Sequence, residues 1–266
     1  MRSLLLLAWL GCASAALAAE ALRLATTTSV ENSGLLAHLL PAFEKAHGIR
    51  VEVIPTGSGK ALQLAAHGDA DAVLSHAPQR EADFLRRGAV IDAHPFMYNE
   101  FVLVGPPEDP ARTRSSPSLA EALRKIARAQ ALFFSRGDDS GTYEMEQNLW
   151  QRVGIRPAGR WYLETGQGMG ATLRIAYERR GYTLSDRATW VQFKGRGDLA
   201  ILVEENPPLR NVYSIMATNP ERHAHVRYAE ARKLIDWLLS PAGQQRIAEF
   251  RPTGEELFHP LSRTAP

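Results

Sequence analysis

Cysteine is almost missing from this chain: Cys12 is the single one among 266 residues. One thiol excludes an internal disulfide framework and any multi-thiolate metal centre. Long hydrophobic runs are missing as well. Leu4 to Leu10 is apolar but too short to span a bilayer, and no later segment is long and apolar enough to do so. Nor is there an excess of one charge sign. The 31 basic residues face 29 acidic ones for a formal net charge of +2, and no basic run concentrates them. That balance argues against an electrostatic nucleic-acid footprint. Internal repeats and low-complexity tracts are absent, as are the Walker phosphate-loop pattern and the Gly-x-Ser-x-Gly nucleophile elbow. A nucleoside triphosphate site and the commonest serine-hydrolase signature therefore have no support.

What is present begins with an export signal. Arg2 supplies a positive start, Leu4 to Leu10 an apolar core, and Ala16-Leu17-Ala18 a small-residue cleavage site. Cleavage after Ala18 is expected to release the chain into the periplasm with no cysteine and with 30 basic against 29 acidic residues. The alternative, a lipoprotein acylated at Cys12, fits poorly with the preceding Trp9-Leu10-Gly11. A chain of this size can bury enough core to be stable without disulfides.

Beyond residue 20, strand-like runs alternate with loops rich in Gly, Ser and Thr and then with helical faces. Leu22 to Ala25 leads through Thr26-Thr27-Thr28-Ser29 to a helix carrying Leu35, Leu36, Leu39, Leu40 and Phe43. Ile49 to Ile54 leads through Gly57-Ser58-Gly59 to a helix stopping at Gly68. Ala131 to Phe134 leads into Ser135-Arg136-Gly137-Asp138-Asp139-Ser140-Gly141-Thr142, and Trp161 to Glu164 leads toward Gly166–Gly170. This alternation predicts an α/β fold with mainly parallel sheets. The extended runs Phe96 to Val104 and Asn211 to Thr218 are expected to be two crossings between two lobes. The expected division is residues 1–18 as signal, 19–100 with 212–266 as the first lobe, and 101–211 as the second.

In open α/β sheets, ligands bind at the C-terminal ends of strands against helix N-termini. All four loops fit that position. The first turn of a helix offers unpaired N–H groups and the positive end of the dipole. Ser140, Gly141 and Thr142 there, with Arg136 nearby, suit an anion. An ordinary capped helix reads equally well, since Asp, Ser and Thr are common N-caps. The tripeptide Arg136-Gly137-Asp138 carries no adhesion argument, because Arg196-Gly197-Asp198 repeats it by chance.

Together the motifs resemble the periplasmic tungstate-binding proteins of ABC importers, the Tup type, within the oxyanion-binding periplasmic proteins. The residues that carry the resemblance are Thr26 to Ser29 with Asn32 to Leu36, Gly57 to Leu62, Gly68 to Ala77, Met97 to Pro106, Ser135 to Thr142, Trp161-Tyr162, Gly166 to Leu173 and Tyr182 to Arg187. They run in the family's order along the whole mature chain. The resemblance implies a two-lobed Venus-flytrap fold closing on one tetrahedral oxyanion, tungstate first, with molybdate or another oxyanion such as sulfate or phosphate as the alternative. It implies donors from Thr28, Ser29, Ser58, Arg136, Ser140, Gly141 and Thr142, with backbone donors at Gly168, Met169 and Gly170. The expected partner is a membrane permease, the expected state a monomer, and no cofactor or metal cation is expected. Lys60 stands where the family usually has Gln, which adds a charge of unknown direction.

Protonation narrows the ligand class. Phosphate keeps a proton at neutral pH and benefits from an acceptor carboxylate; tungstate, molybdate and sulfate carry none and would be repelled by one. Phosphate-binding relatives place an Asp after the third strand, where this chain reads Leu74-Ser75-His76-Ala77-Pro78. A hydrolase with Ser140 as nucleophile, His76 as base and Asp138 as orienter remains a second class, and a ligand-sensing receptor domain a third. His67, Asp69, Asp71 and His76 match no metal-site spacing. They read instead as local caps and packing.

Overall fold

The computed structural model describes residues 20–193 and 197–261. The signal-like stretch, Cys12 and Arg196 lie outside them. The first half runs β1 (Leu22–Thr27), α1 (Thr28–Ser33), α2 (Leu35–His47), β2 (Val51–Thr56), α3 (Ser58–His67), β3 (Ala72–Ser75), α4 (Pro78–Arg86) and β4 (Val90–Gly105). Then come α5 (Leu119–Ala129), β5 (Phe133–Ser135), α6 (Gly141–Arg152), β6 (Tyr162–Glu164), α7 (Met169–Glu178), β7 (Thr183–Asp186), α8 (Arg187–Gln192) and β8 (Ala200–Glu204). The chain returns through β9 (Arg210–Thr218), α9 (Tyr228–Leu239), α10 (Pro241–Glu249) and β10 (His259–Pro260).

Strand alternation explains why each sheet is covered on both faces. Successive side chains point to opposite sides of a strand. Leu24, Leu74 and Ile215 join one buried cluster with Phe43 and Leu234. Their chain neighbours Ala25, Val73 and Met216 join another with Ala61 and Leu62 of α3. In the other lobe Phe101, Leu103 and Phe133 pack with Leu123, Ile126 and Trp150. Val102, Val104 and Phe134 pack with Leu173 and Trp190. Trp237 belongs to the first core, against Phe43.

β4 connects the two regions. Along Val90 to Glu100 it pairs antiparallel with β9, and from Phe101 onward with β7 and β8. The first sheet runs β2-β1-β3-β9-β4-β10, with β1 parallel to β2 and β3. In the second, β5 is parallel to β6 and bridges in parallel to Tyr182 just before β7. The sheets are thus mixed. Each holds a parallel set built by strand–helix units, while β4, which pairs in both halves, and β9, which pairs with β3 and β4 in the first, run antiparallel to their neighbours. Helix α8 stands at the junction: Ala188 joins the first core and Trp190 the second.

One segment differs from the expected elements. Thr26-Thr27-Thr28-Ser29 is not a loop. Thr26 and Thr27 end β1, and Thr28 opens α1 at once because the Thr27 hydroxyl caps it by accepting from Val30 N. Pro41 sits inside α2, and Pro241 opens α10, a position where its missing N–H costs nothing.

Candidate binding site between the lobes

The four Gly/Ser/Thr segments meet across the seam. Thr28 Oγ1 lies 3.6 Å from where a Cβ on Gly168 would stand. Gly59 N donates to Asp139 O at 3.1 Å, and Arg80 pairs with Asp139 at 2.6 Å. Gln79 N donates to Glu144 Oε1 at 3.0 Å. Gly141 is pressed against the backbone of His76 so closely that a Cβ would stand 2.0 Å from its carbonyl oxygen. Gln192 Nε2 reaches Ser33 O at 3.3 Å. The two halves are in contact at every one of these elements.

The distal loop is organised around a carboxylate. Asp138 Oδ2 accepts from Arg136 Nε at 3.2 Å and Nη2 at 2.5 Å, while its Oδ1 accepts from Ser140 N at 3.2 Å and Ser140 Oγ at 2.6 Å. Arg136 is 4% exposed and is the only buried Arg or Lys among the described residues. Two of its five N–H groups serve Asp138, which leaves the others directed elsewhere. Ser140 Oγ caps α6 by accepting from Tyr143 N at 3.2 Å. Its proton goes to Asp138, so in this arrangement Ser140 shapes the loop rather than offering a free hydroxyl donor.

Other hydroxyls have not been spent. Ser58, the first residue of α3, and Thr142, the second of α6, are buried, and neither Ser58 Oγ nor Thr142 Oγ1 has a hydrogen-bond partner. Ser29 is buried with its Oγ 3.0 Å from Thr27 Oγ1. Gly168 is the N-cap of α7, Met169 and Gly170 form its first turn, and Met169 is buried. That turn is tied to the distal loop, since Gly166 N donates to Arg136 O at 2.8 Å and Thr165 N to Ser135 O at 2.9 Å. Lys60 is exposed. A buried donor without a partner costs free energy, so this seam is built to take an acceptor-only guest. An oxyanion is such a guest: it accepts from hydroxyls, from the free N–H groups of the α3, α6 and α7 first turns, and from a guanidinium.

Sequence reading left His76 as a locally bonded residue. Its ring is indeed bonded, Nδ1 lying 2.9 Å from Asn211 Oδ1, but the place is the seam itself. Asn211 Nδ2 donates to Asn99 Oδ1 and to Tyr213 Oη, both at 2.9 Å. Asn99 Nδ2 donates to Asp186 Oδ1 at 3.0 Å. This buried network joins β4, β9, the end of β3 and the start of α8. Only the position of His76 directly after β3 could have pointed to it. Glu146 was missed too. Its Oε1 accepts from Tyr162 Oη at 2.8 Å and Trp150 Nε1 at 3.0 Å, and burial pushes its carboxyl up to about 7. Asp71 is taken by Arg23 at 2.7 Å. Among the described residues no group of three or more His, Cys, Asp or Glu could hold a metal ion, and no helix is long and apolar enough to cross a membrane. A cavity of about 670 Å³ at the opposite end of the first sheet, lined by Arg23, Arg50 and Arg227, contains none of the expected site residues.

Two α/β halves joined through shared strands, with hydroxyls and helix N-termini facing across the seam, define the hinged class of solute-binding proteins. The chain belongs to the PBP superfamily, whose domain model matches residues 13–242, and within it to the family of the tungstate-binding TupA proteins. The tungstate-binding protein TupA of Peptoclostridium acidaminophilum is 40% identical over 241 residues, covering 89% of this chain and 84% of the relative. The crystal structure of the tungstate ABC transporter from Geobacter sulfurreducens is similar at 46% identity and a TM-score of 0.82, over 87% of this chain and 99% of that one. The tungstate-binding protein TupA of Desulfovibrio alaskensis is similar at 41% identity and a TM-score of 0.77, over 92% and 100%.

Proposed function

We propose that this protein is the extracytoplasmic binding component of an ABC importer, capturing tungstate between its lobes and presenting it to a membrane permease. The observation that carries the reading is the set of buried, unpartnered hydroxyls on Ser58 and Thr142 at helix starts beside the buried guanidinium of Arg136. Ser29, Thr28 and the first turn of α7 complete the proposed donor set. The likeness to tungstate-binding relatives at about 40% identity supports the choice of anion. The protein acts without turnover and without a cofactor in this reading, since Ser140 gives its proton to Asp138 and is no free nucleophile. It works as a monomer handing over one anion.

Tungstate is expected to bind best, molybdate close behind, sulfate more weakly and phosphate most weakly. Competition calorimetry with the four anions at one pH and salt concentration checks the order. Phosphate binding that resists excess tungstate overturns it.

Export follows from the leader-like sequence. N-terminal sequencing of the exported protein is expected to begin directly after Ala18. A retained Met1 or an acylated Cys12 would contradict this.

A further inference from the structure

The hydrogen-bond accounting around His76 fixes its tautomer. Both N–H groups of Asn211 Nδ2 are occupied, by Asn99 Oδ1 and by Tyr213 Oη, so Asn211 presents its carbonyl oxygen to the ring. His76 Nδ1 must therefore carry the hydrogen. Nε2 is then a bare lone pair, and it is buried with no partner. The ring is 2% exposed and lies against Gly141 at the start of α6, beside the distal loop. Beside the hydroxyl and guanidinium donors this bare acceptor repels the oxygen of an incoming anion, as does Asp186 Oδ2, a second buried acceptor without a partner in the same network. One proton on the ring removes its part of the conflict.

We propose that His76 is the proton-coupled member of the oxyanion site: Nε2 takes a proton from solvent as a fully deprotonated dianion enters, and the resulting imidazolium donates it toward the ligand. This rests on the functional reading above and deepens it. Proton uptake adds formal positive charge that the Arg136–Asp138 pair, nearly neutral as a unit, does not supply. It also makes a proton-free anion and this site complementary, since the protein rather than the ligand brings the hydrogen.

The groups facing His76 set the direction. Burial pushes the free imidazole down to about 4, and Arg136 acts the same way, while Asp186, Asp138 and the bond to Asn211 oppose it. From β9, Tyr213 lies tilted against the ring at 4.8 Å between centroids, and Arg210 lines a small cavity beside it together with Glu144 of α6. Glu81 of α4 holds Ala77 N, one residue away, at 3.0 Å. At neutral pH the ligand-free ring is uncharged. A bound dianion favours the charged form, so the complex holds more protons than its parts. Affinity then rises as pH falls, by up to about tenfold per pH unit, until the free ring itself becomes protonated.

The test is titration calorimetry of tungstate into the wild-type protein at about pH 7.5, in buffers of different ionisation enthalpy, repeated up to about pH 8.5. About one proton is expected to be taken up per anion bound, with affinity falling as pH rises. In His76→Gln the amide N–H donates without titrating, so binding is expected to persist while proton uptake and pH dependence vanish. Tight tungstate binding by the wild type without proton uptake overturns the proposal, as does undiminished uptake in a folded His76→Gln, which would place the proton elsewhere. The wild-type proton count decides the matter even if the variant does not fold. Absence of any tungstate binding by the wild type would instead refute the functional reading beneath it.

Discussion

Arg136→Ala should cost about 2–5 kcal/mol of tungstate affinity, roughly thirtyfold to several thousandfold. The guanidinium is buried, and a dianion closed between lobes must be repaid for its lost hydration. Asp138 makes the expected loss larger than the removal of one donor. Its Oδ2 is held by Arg136 and its Oδ1 by Ser140. Without the guanidinium that carboxylate faces the anion uncompensated, and like charges repel. Arg136→Ala/Asp138→Asn should therefore recover part of the loss, a non-additivity that a double-mutant cycle measures directly. Arg136→Lys should recover only part, because an ammonium is a point charge without the planar fork that holds Asp138 through Nε and Nη2 while presenting its other N–H groups. Thr142→Ala should cost less, about 1–3 kcal/mol for one buried donor. Calorimetry on each variant, with thermal unfolding as the folding control, checks the series. A folded Arg136→Ala that binds tungstate like wild type would place the site elsewhere.

The loops were legible because their chemistry is local. A strand that ends in Gly, Ser or Thr before an apolar helical face announces a helix start, and Ser58, Thr142 and Gly168 all lie at or directly before the first turn of such a helix. An unusually long extended run was legible, and Val90–Gly105 pairs with β9 in one half and with β7 and β8 in the other. What sequence reading missed depends on distant partners. Ser140 reads as a donor until Asp138 is seen to take its proton. His76 reads as packing until Asn211, 135 residues away, fixes its tautomer. Short pieces such as α1 and α8 carry too few residues for a periodicity to show, and tertiary contact decides them, α1 through Val30 in the first core and α8 through Ala188 and Trp190 in both. The mixed character of the sheets was hidden for the same reason, since strand direction at β4 and β9 follows from the order in which the chain lays down its strands and not from any residue in them.

Gly141→Ala should leave the ligand-free protein folded yet weaken tungstate binding by about 1–3 kcal/mol, roughly fivefold to a hundredfold. Gly141 is the first residue of α6, with no need of a left-handed backbone, so alanine suits the helix and raises its intrinsic stability slightly. The obstacle lies wholly across the seam. A Cβ there stands 2.0 Å from His76 O, 2.5 Å from its Nδ1 and 2.7 Å from its carbonyl carbon. Two of those atoms are backbone at the end of β3 and cannot rotate away. Where the lobes part in the ligand-free protein, the overpacking falls on the closed arrangement and is expected to appear as lost affinity rather than lost folding. Gly59→Ala provides the contrast. Its Cβ would meet Asp139 Cβ at 2.7 Å, a milder overlap than 2.0 Å against a carbonyl oxygen and one made with an exposed loop residue, so a smaller loss is expected. Scattering should show the wild type compacting as tungstate is added and Gly141→Ala compacting less, with its ligand-free melting temperature equal to wild type or higher. If Gly141→Ala binds and compacts like wild type, the contact between α6 and His76 plays no part in holding the anion, and closure must rest on the Arg80–Asp139 and Gln79–Glu144 contacts instead.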